Sequence, residues 1–199
     1  MINKEKIEEL MSISGQVKDV VFQTDADYIL KKYGEEGLAK LEKRAEELNI
    51  PINYKEANSL KLCPIGLRVL SLLLMRDVFG LSDSEIREIG YSAPATSFVV
   101  KLLMRFLSSF SRLAKEVPNY WKNHYTIGSL ESVYLNEKTK DLIVHLKDFK
   151  VDPILCIYFE GYFRRIYEFA VGFGNGECKE TKCMFKGAPY HEYVFRTRK

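Results

Sequence analysis

The chain has 199 residues, 46% of them hydrophobic and 13% aromatic, enough for one sizeable core and too apolar for general disorder. Its net charge of +3 is small, so nucleic-acid binding would need a local basic patch. The longest apolar run is broken by Arg68, Arg76 and Asp77, and MINKEKIEEL carries no secretory apolar stretch; a cytoplasmic protein with no membrane span and with reduced thiols is expected.

In chain order, residues 1–12 suit a short helix, and QVKDVVFQ (16–23) suits a strand or a helix end. Thr24 then offers a helix N-cap, with Asp27 three residues on. Leu38, Leu41, Ala45 and Leu48 follow at helical spacing, with Gly34 and Gly37 as interruptions and a stop near Asn49–Pro51. Residues 60–80 are almost wholly apolar and read as a buried helix entered around Pro64 and ended by Gly80. Ser82 and Glu85 form a capping box for a short helix closed by Gly90. A long helix over 96–116 buries Phe98, Leu102, Phe106, Phe110 and Leu113 and wets Lys101, Arg105 and Arg112.

The pattern changes after Pro118. Thr126–Leu135 and Asp141–Phe149 read as a hairpin joined by NEKTK. Asp152 caps a new helix with Pro153 at its first position, and that helix ends in GFGNG. Residues 177–185 and 190–198 are two more strands around KGAP. The expected fold is α+β: a helical N-terminal half packed on an antiparallel sheet from a ββ-α-ββ C-terminal half. Residues 1–56 are expected to be a helical extension and 57–199 a ligand-binding domain.

The last hairpin concentrates chemistry in GECKETKCMFKGAPYHEYVF (176–195). Cys178 and Glu180 share a strand face, Cys183 joins them only through a bulge or strand end, and His191 can lie opposite Cys183. Cysteine, histidine and carboxylate are ligand types that zinc accepts, but three such ligands leave a tetrahedral site open. On spacing alone, a metal site and a plain solvated hairpin both remain.

Residues 155–195 resemble the 4-vinyl reductase (hydrocarbon-binding) domain, in the clan that includes heme-nitric-oxide-binding domains and trafficking-complex subunits. The likeness rests on Cys156, Gly161, ETKC (180–183), KG (186–187) and EYVF (192–195). The family commonly shows E-x-x-C, a glycine, and a second cysteine before an aromatic strand; His191 stands at that last place. In metal-bearing members a cysteine from the preceding helix closes a tetrahedral zinc site. The resemblance therefore implies a structural zinc on Cys156, Glu180, Cys183 and His191, with Cys178 as a spare thiol or a replacement for Glu180. It also implies an apolar cavity between the helices and the sheet.

The aromatic side chains offer lining for such a cavity: Phe98, Leu102 and Phe106, then Phe159, Tyr162 and Phe163, with Trp121 and His124 at its mouth to stack on a ligand and donate to its polar end. Each of these, taken singly, also suits an ordinary core. The expected function is a non-catalytic sensor or carrier for a hydrophobic or aromatic small molecule, working as a homodimer and signalling through a downstream partner protein. A scaffold with a filled core is the alternative. A helix-turn-helix around Gly90 is less suited, because its second helix would present Phe98, Val99, Val100, Leu102 and Leu103 where polar tips are needed. Neither a nucleophilic triad nor a phosphate-binding glycine loop supports an enzyme.

Overall fold

The computed structural model describes residues 2–55, 61–96 and 110–198. Among them run α1 (Lys4–Ser12), β1 (Gln16–Lys18), α2 (Val20–Glu47), β2 (Leu62–Pro64), α3 (Ile65–Phe79), α4 (Asp83–Thr96) and α5 (Phe110–His124). The second half adds β3 (Ser129–Asn136), β4 (Asp141–Lys147), α6 (Pro153–Val171), β5 (Gly176–Lys182) and β6 (His191–Thr197), with a 3-10 turn at Met184–Lys186. β1 and β2 pair alone; the rest form one antiparallel sheet in the order β3-β4-β6-β5. This is the expected α+β architecture.

Local signals explain most boundaries. Asp152 accepts a hydrogen bond from the Ile154 amide and starts α6, with Pro153 in its first turn. Gly80, at φ 64°, ends α3. Ser82 and Glu85 bond reciprocally at the start of α4. At Gly34, with φ 68°, α2 kinks rather than stops.

Four expectations change. Thr24 is not an N-cap but lies inside α2, its hydroxyl donating to the Val21 carbonyl. Gly90 does not close a helix; α4 runs through it to Thr96. A Cβ at Gly90 would strike the Tyr158 carbonyl, and one at Gly161 the Arg87 carbonyl, so paired glycines let α4 and α6 touch backbone to backbone. With no turn at Gly90, the helix-turn-helix reading loses its turn; residues 97–109 of its second helix lie outside the described residues. Pro118 does not end the helical half but sits within α5. The proline removes the amide that would bond the Ala114 carbonyl, and the Ser132 hydroxyl on β3 donates to that carbonyl instead, at 2.6 Å.

One contiguous core runs from Leu10 and Ile29 through Leu70 and Ile86 to Trp121, Phe159 and Tyr193. The apolar run of α3 is buried over Ile65–Leu72 and again at Leu74 and Met75, beneath α1 and α2. It needs no second copy to cover it, so the surface argument for a homodimer falls away. Arg68 on α3 is fully buried, and its Nη1 donates to Asp25 Oδ2 on α2. Ser71 donates to the same oxygen at 2.6 Å, and Tyr54 donates to Ser71 at 3.1 Å. Among the described residues no helix is long and apolar enough to cross a membrane.

Candidate functional site

The helix start of α6, the end of β5 and the start of β6 converge on one point. One ligand-type atom from each of Cys156, Glu180, Cys183 and His191 lies within 4.8 Å of every other, a grouping that can hold a metal ion. Cys156 Sγ stands 4.0 Å from Cys183 Sγ and 3.7 Å from His191 Nδ1. His191 Nε2 lies 3.1 Å from the Phe149 carbonyl, which can only accept, so Nε2 carries hydrogen. His191 Nδ1 lies 2.8 Å from Glu180 Oε1, a contact that holds a proton between ring and carboxylate. Burial pushes the Cys156 thiol well up, and the Glu180 carboxylate and Cys183 add to it. The cysteines are free thiols, and Cys178 lies outside the group of four. Glu160 on α6 accepts from the Glu180 amide at 2.9 Å and from Arg87 at 2.6 Å, so the hairpin is tied to both α6 and α4.

A second feature lies in the helical layer. A partly open cavity of about 30 Å³ is lined by Val17, Val20, Val21 and Thr24, by Ala93, by His124 and Tyr125, and by Tyr158 and Tyr162. His124 Nδ1 donates to the Tyr120 carbonyl at 2.9 Å, leaving Nε2 as a free acceptor when the ring is neutral. Tyr120 and Tyr162 meet through their hydroxyls.

Of the expected ligand-binding residues, His124 and Tyr162 do line this cavity. Trp121 is not at a mouth. It is 2% exposed, its indole N–H donates to the Ile127 carbonyl at 2.9 Å, and its ring stacks on Tyr125 at 4.2 Å. Phe159 packs edge-on against Trp121 within the same aromatic core. Phe98 and Leu102 lie outside the described residues. Sequence reasoning missed Asp25, Tyr125 and Tyr158. A carboxylate within α2 whose one-turn neighbours are apolar, facing an arginine in an apolar run, was the signal available for the first.

No protein-family model matches the chain, and no curated protein matches it. Solved structures do. An H-NOX protein from S. oneidensis, described in its Fe(II)NO ligation state, is 11% identical with a TM-score of 0.69 over 92% of this chain and 99% of its own. An Fe(II) unliganded H-NOX protein from K. algicida is 11% identical with a TM-score of 0.63 over 92% and 97%. A structure described for protein-induced porphyrin distortion and heme redox potential is 10% identical with a TM-score of 0.63 over 90% and 99%. These likenesses establish a shared fold. They fit the clan that the C-terminal resemblance names, and they correct the cofactor expectation: the neighbours are described with iron and heme, so zinc is not retained as this chain's cofactor.

Heme does not fit the described residues either. Of the chain's three histidines, His145 bonds Glu192 through Nε2 at 2.9 Å and stacks on Tyr190, and both ring nitrogens of His191 are engaged. His124 lines a cavity, but its volume of about 30 Å³ is far below the ~300 Å³ or more of ligand pockets. The chain thus carries the H-NOX fold without an evident heme slot among its described residues.

Proposed function

We propose that this chain is a non-catalytic sensor or carrier domain of the 4-vinyl reductase kind, binding a small molecule with a hydrophobic or aromatic body. The observation that carries the reading is the cavity between α2, α4, α5 and α6, walled by His124, Tyr125, Tyr158 and Tyr162; at about 30 Å³ it takes only a small end group, so the body of the ligand would lie outside it. Shared fold with proteins described in NO-bound iron states supports a sensing role, through different ligand chemistry. His124 and Tyr162 are the proposed contacts. The signal leaves through a partner chain. The cluster of Cys156, Glu180, Cys183 and His191 serves as a fastening of α6 to the hairpin, remote in role from the ligand.

A specific observation favours a second reading. Trp121, Phe149, Phe159 and Phe163 interlock with ring centroids 5.1–5.7 Å apart, which suits a scaffold with a filled core. Titration of the full chain with phenol and with toluene separates the two. Trp121 stacks on Tyr125, a cavity residue, so saturable change in its fluorescence together with a raised Tm supports the binding module. No change with either compound supports the scaffold.

A further inference from the structure

We propose that Arg68 anchors a carboxylate: the edge of its guanidinium formed by Nε–H and Nη2–H receives the two oxygens of a carboxylate on a small molecule. The inference rests on the small-molecule reading above and names the polar end of that ligand.

Arg68 is fully buried; its Nη1 donates to Asp25 and its guanidinium lies against Tyr158. Nε and Nη2 have no partner. Those two donors are adjacent and point the same way, the pairing that matches both oxygens of a carboxylate at once. A lysine would serve Asp25 as a counter-charge; only arginine leaves such a fork. Buried donors without partners are costly and rare, so a fork left open in a well-packed core marks a place made for an acceptor.

Tyr158 touches both the guanidinium and the cavity, whose lining does not include Arg68 itself. The Tyr158 ring lies 4.4 Å from the guanidinium carbon, holding the plane of the fork, and the same residue lines the cavity beside Tyr125 and Tyr162. A volume of about 30 Å³ suits a group of formate size and excludes a ring. The ligand would therefore seat only its carboxylate inward, reaching the fork past Tyr158, and keep its apolar body outside the cavity. Charge balance is provided for. Asp25 has a second oxygen, Oδ1, without a partner, and burial raises its carboxyl, so Asp25 can take up a proton as the ligand's charge enters.

The test is calorimetric titration of the full chain with sodium formate, sodium benzoate and phenol, alongside the ¹⁵N resonance of Arg68 Nε. Formate and benzoate are expected to bind saturably and move that resonance; phenol is expected to leave it in place. Arg68→Lys keeps the cation but not the fork. It should weaken benzoate by about tenfold or more and leave phenol binding within about twofold, as loss of a charged hydrogen bond implies. Should Arg68→Lys fail to fold, the wild-type resonance decides alone. An unmoved resonance with both carboxylates, or equal benzoate affinity in the two proteins, overturns the proposal. Binding of phenol without carboxylates ends this inference and keeps the small-molecule reading. Formate bound at Arg68, with benzoate no tighter and phenol silent, keeps the inference and ends the aromatic reading.

Discussion

The Asp25–Arg68 pair and the Cys156–His191 cluster are both buried, yet they treat their polar atoms in opposite ways. At the hairpin, His191 spends one nitrogen on Phe149 and the other on Glu180, and none of the four residues leaves a buried atom without a partner. In the helical layer, Asp25 Oδ1 and Arg68 Nε and Nη2 are all unpartnered. A cluster that closes on itself fastens elements together. A cluster with donors left over holds its geometry in readiness for something else. On the reading proposed above, the sheet side fastens the fold and the helical side recognises the ligand.

The contrast can be broken most forcefully at Arg68. Arg68→Met leaves Asp25 buried without its partner and should cost about 3–5 kcal/mol in urea unfolding. Asp25→Leu combined with Arg68→Met should recover most of that loss, since a well-packed apolar pair often equals an ion pair in stability. A single substitution costing under about 1 kcal/mol would show that the pair is hydrated and the fork is not held in readiness.

The hairpin cluster should give a smaller loss. His191→Leu strands the Phe149 carbonyl and Glu180, an expected cost of about 1–3 kcal/mol. Amide exchange should quicken at Glu180 and Met184 while α3 stays protected, which would mark the cluster as a local fastening. Equal quickening in α3 would mean that the two clusters are one cooperative unit. Ser82→Ala supplies the exposed reference, since its cap bonds face water; it should cost about 1 kcal/mol, or roughly 2–4 °C in Tm.

Residue spacing made the sheet side far more legible than the helical side. Asp152–Pro153, the capping box and the ββ-α-ββ order act over a few residues, so they can be read locally. E-x-x-C and the following histidine put Glu180, Cys183 and His191 on one hairpin, and the likeness supplies Cys156 from the helix before it. Gly90 and Pro118 misled for one reason. Each looks like punctuation in the sequence, whereas a distant partner decides its role: the Tyr158 carbonyl that Gly90 must admit, and the Ser132 hydroxyl that makes Pro118 tolerable. Asp25 and Arg68 are 43 residues apart, and no local pattern announces that they meet. The polar neighbours of Trp121 in NYWKNHY suggest exposure, but on a helix Asn119, Lys122 and Asn123 face water while Trp121 and His124 are buried.

His124 offers the finest test, on the helical side. Its Nδ1 donates to Tyr120, so a neutral ring presents Nε2 to the cavity as an acceptor. Burial lowers its pKa from the usual 6.5; the Tyr120 carbonyl opposes the shift and the Lys18 charge adds to it. The folded value is thus below the unfolded one, and the unfolded chain takes the proton more readily. Stability from this residue is therefore complete above about pH 6.5 and is lost as the pH falls below it through the folded value. The chain has two other histidines, so the measure is a difference: urea unfolding from pH 7.5 to pH 5, wild type against His124→Gln. Glutamine can still donate to the Tyr120 carbonyl but cannot charge. The variant should lose less stability on acidification, by the smallest margin of these tests. Parallel pH profiles would mean that His124 is solvated in solution and that the cavity wall lacks the neutral acceptor assigned to it.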